Sequence, residues 1–219
     1  NKNNLKFLKK NGVQILNGNS YDYNLYLKRS VNLNLKNKKI GLYLDSPTPI
    51  YDNDNKLVGD DKNVWGTPKK WYSSLNEFFN YIEKLKNIEV KIAPHPKIKY
   101  EETSLPFFFN RKFTNTPLAE AAEESSVIIG RNSAGFSFAA IYKIPAIFVY
   151  TNELKNKKNV FMYEQKLYAN EMGLEPYNID NKFQTEEIEK LFYYNSNNYD
   201  LFIERYLTSR TDKMKNYEV

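Results

Sequence analysis

The amino-acid sequence predicts an α/β fold, a parallel sheet with helices on both faces followed by a helical tail. Short apolar runs alternate with stretches of helical spacing in the order strand, helix, strand, helix, strand, helix, strand. Polar residues follow each run at once, which is where ligands gather in such sheets. The 219 residues suffice for one substantial core, and 18 Tyr with 14 Phe supply apolar volume although the mean hydropathy is -0.69.

Along the chain, Val13 to Leu16 is a short strand candidate before the turn-rich Asn17-Gly18-Asn19-Ser20. Ile40 to Leu44 is a stronger strand ending at Asp45-Ser46-Pro47. Thr48 to Lys70, dense in Pro, Gly, Asp and Asn, reads as a long loop. Leu75, Phe78, Phe79, Ile82 and Leu85 recur at helical spacing, so Trp71 to Lys86 is predicted as a helix capped by Ser73 or Ser74. Ile88 to Ala93 is a strand running into His95. Thr116 to Glu124 is then helical, Val127 to Gly130 a buried strand, Ala134 to Tyr142 a helix of small residues and Ala146 to Tyr150 a strand. After Asn152 the chain reads as helices over Val160 to Met172, Glu186 to Tyr194 and Tyr199 to Leu207. The expected organisation is a basic segment over 1–38 and one domain over 39–219, with the helical tail from about residue 153.

Composition narrows the function. The absence of cysteine excludes disulfides, thiolate metal sites and a cysteine nucleophile, and fits a cytoplasmic location. No apolar run has the length needed to cross a bilayer. The start, Asn1-Lys2-Asn3-Asn4, has neither Met nor an apolar leader and reads as the beginning of a fragment. The net charge of +6 is uneven, since nine Lys and Arg precede Asp45 against Asp22 alone. Two readings fit this: peripheral contact with anionic membrane at its cytoplasmic face, or a solvated lysine-rich surface. Nucleic acid is not an expected partner, because no RNA-binding motif and no clustered aromatic platform accompany the charge.

The only histidine, His95, stands between Pro94 and Pro96 where a strand stops, with Lys97 beside it. Both prolines fix φ, so the imidazole is held near the crevice at the strand ends, where it can donate to a phosphate or protonate a departing one. The stretch GRNSAGFSFAAIYKIP, residues 130–145, takes a strand into a helix whose first turn contains Asn132, Ser133 and Ala134. Exposed N–H groups there, with the Ser133 hydroxyl, suit a phosphate, and helix capping by Asn132 or Ser133 is the other reading. Asp45, Ser46, Arg131 and Thr151 also follow strands. Gly135-Phe136-Ser137-Phe138-Ala139 mimics a nucleophile elbow, but the only histidine precedes it, against that template's chain order. Asp52 and Asp54 in YDNDN resemble a manganese motif. A calcium loop fails, since Leu57 and Asn63 replace its glycine and glutamate, and no metal site is assigned.

His95-Pro96, followed about thirty-five residues later by Arg131-Asn132-Ser133-Ala134, resembles the His-Pro and serine motifs of bacterial GT-B glycosyltransferases, the sialyl- and polysialyltransferases and capsule enzymes. IGLYLDSPTPIYDNDNKLVGDD and IPAIFVYT are similar to segments of bacterial surface-carbohydrate biosynthesis proteins. The resemblance covers about residues 20 to 155. It implies the Rossmann-like carboxyl-terminal half of such an enzyme, which holds the nucleotide of a sugar donor, here a CMP-sugar. His95 would contact or protonate the leaving phosphate and Ser133 would bind it. Pro96, Lys97, Arg131, Asn132 and Ala134 would line the site, and Asp45 and Ser46 would face donor or acceptor. Thr151 stands at the same rim. No cofactor is expected, and the partners would be the nucleotide-sugar donor and a glycan or lipid-linked acceptor.

The chain departs from the family at Ala134, where a second hydroxyl is common. The general base of inverting members belongs to an amino-terminal half that this length does not hold. Two alternatives remain open at this point: a CDP-glycerol-type phosphotransferase of teichoic-acid-like polymer synthesis, and a non-catalytic nucleotide- or carbohydrate-binding module.

Overall fold

The computed structural model describes residues 10, 18–29, 38–50, 66–102, 107–155 and 160–208. The strand candidate Val13 to Leu16 and the acidic pair Asp52 and Asp54 lie outside them. Five strands form one sheet in the order β2-β1-β3-β4-β5, every pairing parallel. They are β1 (Ile40–Leu44), β2 (Glu89–Ala93), β3 (Val127–Gly130), β4 (Ala146–Tyr150) and β5 (Tyr177–Asn178). Leu44 stands level with Ala93 on one side and Gly130 on the other, so β1, β2 and β3 end at one rim.

The side-chain alternation of the strands explains the two-faced core. Leu42, Leu44, Ile128, Ala146 and Phe148 point to one layer of helices, and Tyr43, Val127, Ile129, Ile147 and Val149 to the other. The first layer contains α1 (Tyr21–Lys28), α3 (Leu118–Glu123), α4 (Ser137–Tyr142), α6 (Val160–Glu171) and α8 (Ser196–Phe202), which contribute small residues such as Ala119, Ala122, Ala139, Ala140 and Ala169. The second contains α2 (Pro68–Lys86), α5 (Asn152–Lys155) and α7 (Thr185–Leu191). Here Trp71, Leu75, Phe78, Phe79 and Ile82 of α2 do most of the covering. The chain leaves β1 through α2 to reach β2 at the edge, then returns through α3 on the opposite face to reach β3. That reversal of winding, on opposite faces as right-handed crossovers require, puts a switch point between β1 and β3.

Several boundaries differ from the sequence reading for identifiable reasons. Helix α2 begins at Pro68 rather than Trp71, because proline at the first position needs no N–H partner. Thr67 is its N-cap residue, and Ser74 donates to Asp180 Oδ1 at 2.6 Å instead of capping. The small-residue helix splits into a 3₁₀ turn, Ala134–Phe136, and α4. The tail is helical except for β5, which sequence reading did not find. Its last predicted helix is α8 followed by a π-helical turn, Ile203–Leu207. Within the basic 1–38 segment, α1 is capped by the Ser20 hydroxyl and buries Tyr23 in the core of the same domain. Arg29 pairs with Glu120 at 2.9 Å and Glu123 at 3.0 Å, and Lys38 Nζ donates to the Glu123 carbonyl. No helix among the described residues is long and apolar enough to cross a membrane.

Candidate functional site at the rim of the sheet

His95 follows β2, and its own turn fixes its chemistry. The Lys97 N–H donates to His95 Nδ1 at 3.2 Å, and the Ile98 N–H to the His95 carbonyl at 3.0 Å. A ring whose Nδ1 accepts must, when neutral, carry its proton on Nε2. The imidazole is thereby set as a donor through Nε2. Pro96 and Lys97 are exposed beside it, and the part of Lys97 that meets the ring is its backbone.

Tyr100, in a short 3₁₀ turn, ties this turn to the next strand. Its hydroxyl accepts from the His95 N–H at 3.2 Å and donates to Asp45 Oδ2 at 2.6 Å. Asp45, directly after β1, is 5% exposed, and its N–H donates to the Ala93 carbonyl at 3.2 Å. Burial raises its carboxyl pKa to about 6, opposed by the Tyr100 hydrogen bond, a Ser46 backbone hydrogen bond and the nearby Arg131 charge. Asp45 Oδ1 and the hydroxyls of Tyr43 and Tyr72 are buried without a hydrogen-bond partner among the described residues.

Arg131, directly after β3, is turned inward. It is 3% exposed, and its Nη2 donates to the Thr48 carbonyl, Thr48 Oγ1 and Ser46 Oγ. The guanidinium lies 4.5 Å from the Trp71 ring centroid, and its backbone carbonyl accepts from Gln165 Nε2 at 3.0 Å. Burial lowers its pKa, and the charges of Tyr43, Tyr72 and Asp45 oppose that shift. Arg131 and Ser46 together therefore clamp the chain that leaves β1. Thr151 is likewise buried.

The serine turn keeps fewer donors than a regular helix start. Ser133 Oγ accepts from the Gly135 N–H at 3.2 Å and the Ser133 carbonyl from the Phe136 N–H at 3.2 Å, so Ser133 caps the turn as the alternative reading proposed. Its hydroxyl proton can still be donated. Asn132 is exposed and donates to Glu164 Oε2 at 3.4 Å, while the exposed Ala134 borders a cavity described below. His95 and Ser133 stand in the turns after the two strands that flank β1, strands whose backbones lie about 10 Å apart.

Structure thus joins Arg131 directly to Ser46 and Thr48 and links the His95 turn to Asp45 through Tyr100. Tyr100 and Gln165 were missed by sequence reasoning, as was the cation–π partner Trp71. Among the described residues no group of three or more His, Asp or Glu side chains is arranged to hold a metal ion. Compared with family models, curated proteins and solved structures, the chain matches none.

Proposed function

We propose that this domain is the donor-nucleotide half of a GT-B-like glycosyltransferase that builds capsule or surface polysaccharide from a nucleotide-activated sugar, a CMP-sugar by preference. The observation that carries the reading is the His95 turn: an imidazole held as an Nε2–H donor, with the Ser133 hydroxyl across β1 at the switch point. In such a transfer the acceptor hydroxyl attacks the anomeric carbon, the bond from that carbon to the phosphate oxygen breaks, and charge develops on the departing phosphate. His95 Nε2–H stabilises that charge by hydrogen bonding, and Ser133 donates to a second oxygen. Asp45, Tyr100 and Arg131 act at one remove, by holding the two turns.

Calorimetric titration with CMP, CDP, UDP and GDP tests this reading. One nucleotide should bind best, and His95→Ala and Ser133→Ala should each cost about 1–3 kcal/mol of binding. A preference for CDP, with turnover of CDP-glycerol, turns the reading to the phosphotransferase. No binding of any of the four rejects both.

A further inference from the structure

A cavity of about 540 Å³ opens beside the serine turn, between the start of α1, the turn itself, α6 and the π-helical turn of the tail. Its size falls within the roughly 300–1,000 Å³ of small-molecule sites. The floor is aromatic. The Tyr168 and Phe202 rings lie 5.6 Å apart at 28°, and Tyr206 continues the wall 5.2 Å from Phe202. Tyr206 is 54% exposed and Leu167 50% exposed, so large apolar groups are kept at the mouth. Tyr168 is held by edge contacts to Phe136 and Phe148, which makes the floor part of the core and not a mobile flap.

The charged groups that line this floor are carboxylates. Asp22 presents a carboxylate, with Oδ2 accepting from the Ser137 hydroxyl at 2.6 Å. Glu164 adds a second, and Glu171 a third that is paired with Arg205 at 3.2 Å. The Ala134 carbonyl, which takes the Tyr168 hydroxyl at 3.5 Å, is another acceptor. Among the described residues no Lys or Arg lines the cavity. Ionised carboxylates only accept, so an occupant must supply several donors and no negative charge. Burial, with the charge of Asp22 adding to it, pushes the Tyr168 phenol up.

We infer that this cavity binds a neutral or amino-sugar ring, the C–H face on Tyr168, Phe202 and Tyr206 and the hydroxyl or amino donors on Asp22 and Glu164. A sugar ring has one apolar face edged by hydroxyls, which matches an apolar floor edged by acceptors. A nucleotide phosphate is repelled by the same carboxylates. Assigning the ring to the acceptor of the transfer rests on the glycosyltransferase reading, whereas the binding itself does not.

The test is ligand-observed NMR and calorimetry on the full chain with glucose, galactose, N-acetylglucosamine and galactosamine, with CMP as a comparator. At least one sugar should bind saturably. Tyr206→Ala and Glu164→Gln should each weaken it about fivefold or more, the loss of one ring contact or one hydrogen bond, with thermal unfolding and CMP affinity unchanged. Failure of every sugar to saturate, binding that neither variant alters, or competition between sugar and CMP would overturn the inference. Sugar binding without any nucleotide binding would leave it standing and remove the glycosyltransferase reading instead.

Discussion

Where β1 and β3 end, two ionic groups are turned inward. Asp45 and Arg131 are nearly inaccessible and engage Tyr100, Thr48, Ser46 and Trp71. On the β3–α6 side Asn132, Ala134 and Glu164 are exposed around a cavity. A charged residue beside a motif is therefore no guide to ligand contact here. Asp45 and Arg131 fix the backbone where β1 and β3 end, whereas the carboxylate of Glu164 stands exposed at the cavity.

The sharpest way to break this contrast is Arg131→Met. Removing a buried cation leaves the Asp45 charge without its neighbour and releases the chain at Ser46 and Thr48. The expected loss is about 3–5 kcal/mol in urea unfolding at pH 7. Arg131→Lys should recover less than half, because an ammonium cannot reproduce a planar group that both stacks and donates. A loss below about 1 kcal/mol would move Arg131 to the ligand-facing side of the comparison.

Asp45→Asn gives the next largest effect and a distinctive pH dependence. The folded carboxyl has its pKa raised from 3.8 to about 6, so the folded state takes up a proton before the unfolded chain does. This group's contribution is therefore most favourable below pH 4 and is lost as pH rises through about 6. The difference corresponds to as much as about 3 kcal/mol. The Asn variant should be the more stable protein at pH 8, with the gap closing between pH 6 and pH 4. A pH-independent gap would show that Asp45 does not titrate in that window.

How much of this the sequence carried depends on how locally each feature is encoded. Strands β1, β3 and β4 were legible to the residue because each is an uninterrupted apolar run buried on both faces. Strand β5 has only Tyr177 and Asn178 and no run to see. The glycine at the break in the small-residue helix has a tertiary reason. A Cβ on Gly135 would come within 2.9 Å of Leu118 and 3.1 Å of Leu44, a close approach that no local pattern announces. The His95 and Ser133 turns were legible from their punctuation. The burial of Arg131 was not, since its partners Ser46 and Thr48 lie more than eighty positions away. Tyr100 was hidden among 18 tyrosines.

Tyr100→Phe sharpens the comparison at its smallest scale, since it deletes one hydroxyl and nothing else. That oxygen donates to Asp45 and accepts from the His95 N–H, so its loss separates the buried pair from the histidine turn. The bond to an ionised carboxylate is charge-assisted, and about 1–2 kcal/mol should be lost at pH 8, with less at pH 5 where Asp45 is largely protonated. Because the hydrogen bond lowers the Asp45 pKa, its removal should move that titration upward from about 6. With a single histidine in the chain, the imidazole C–H signals report the other end directly. They should shift and broaden in the variant as the turn loses its anchor. Unchanged imidazole signals together with an unchanged Asp45 titration would mean that Tyr100 couples nothing between Asp45 and the His95 turn.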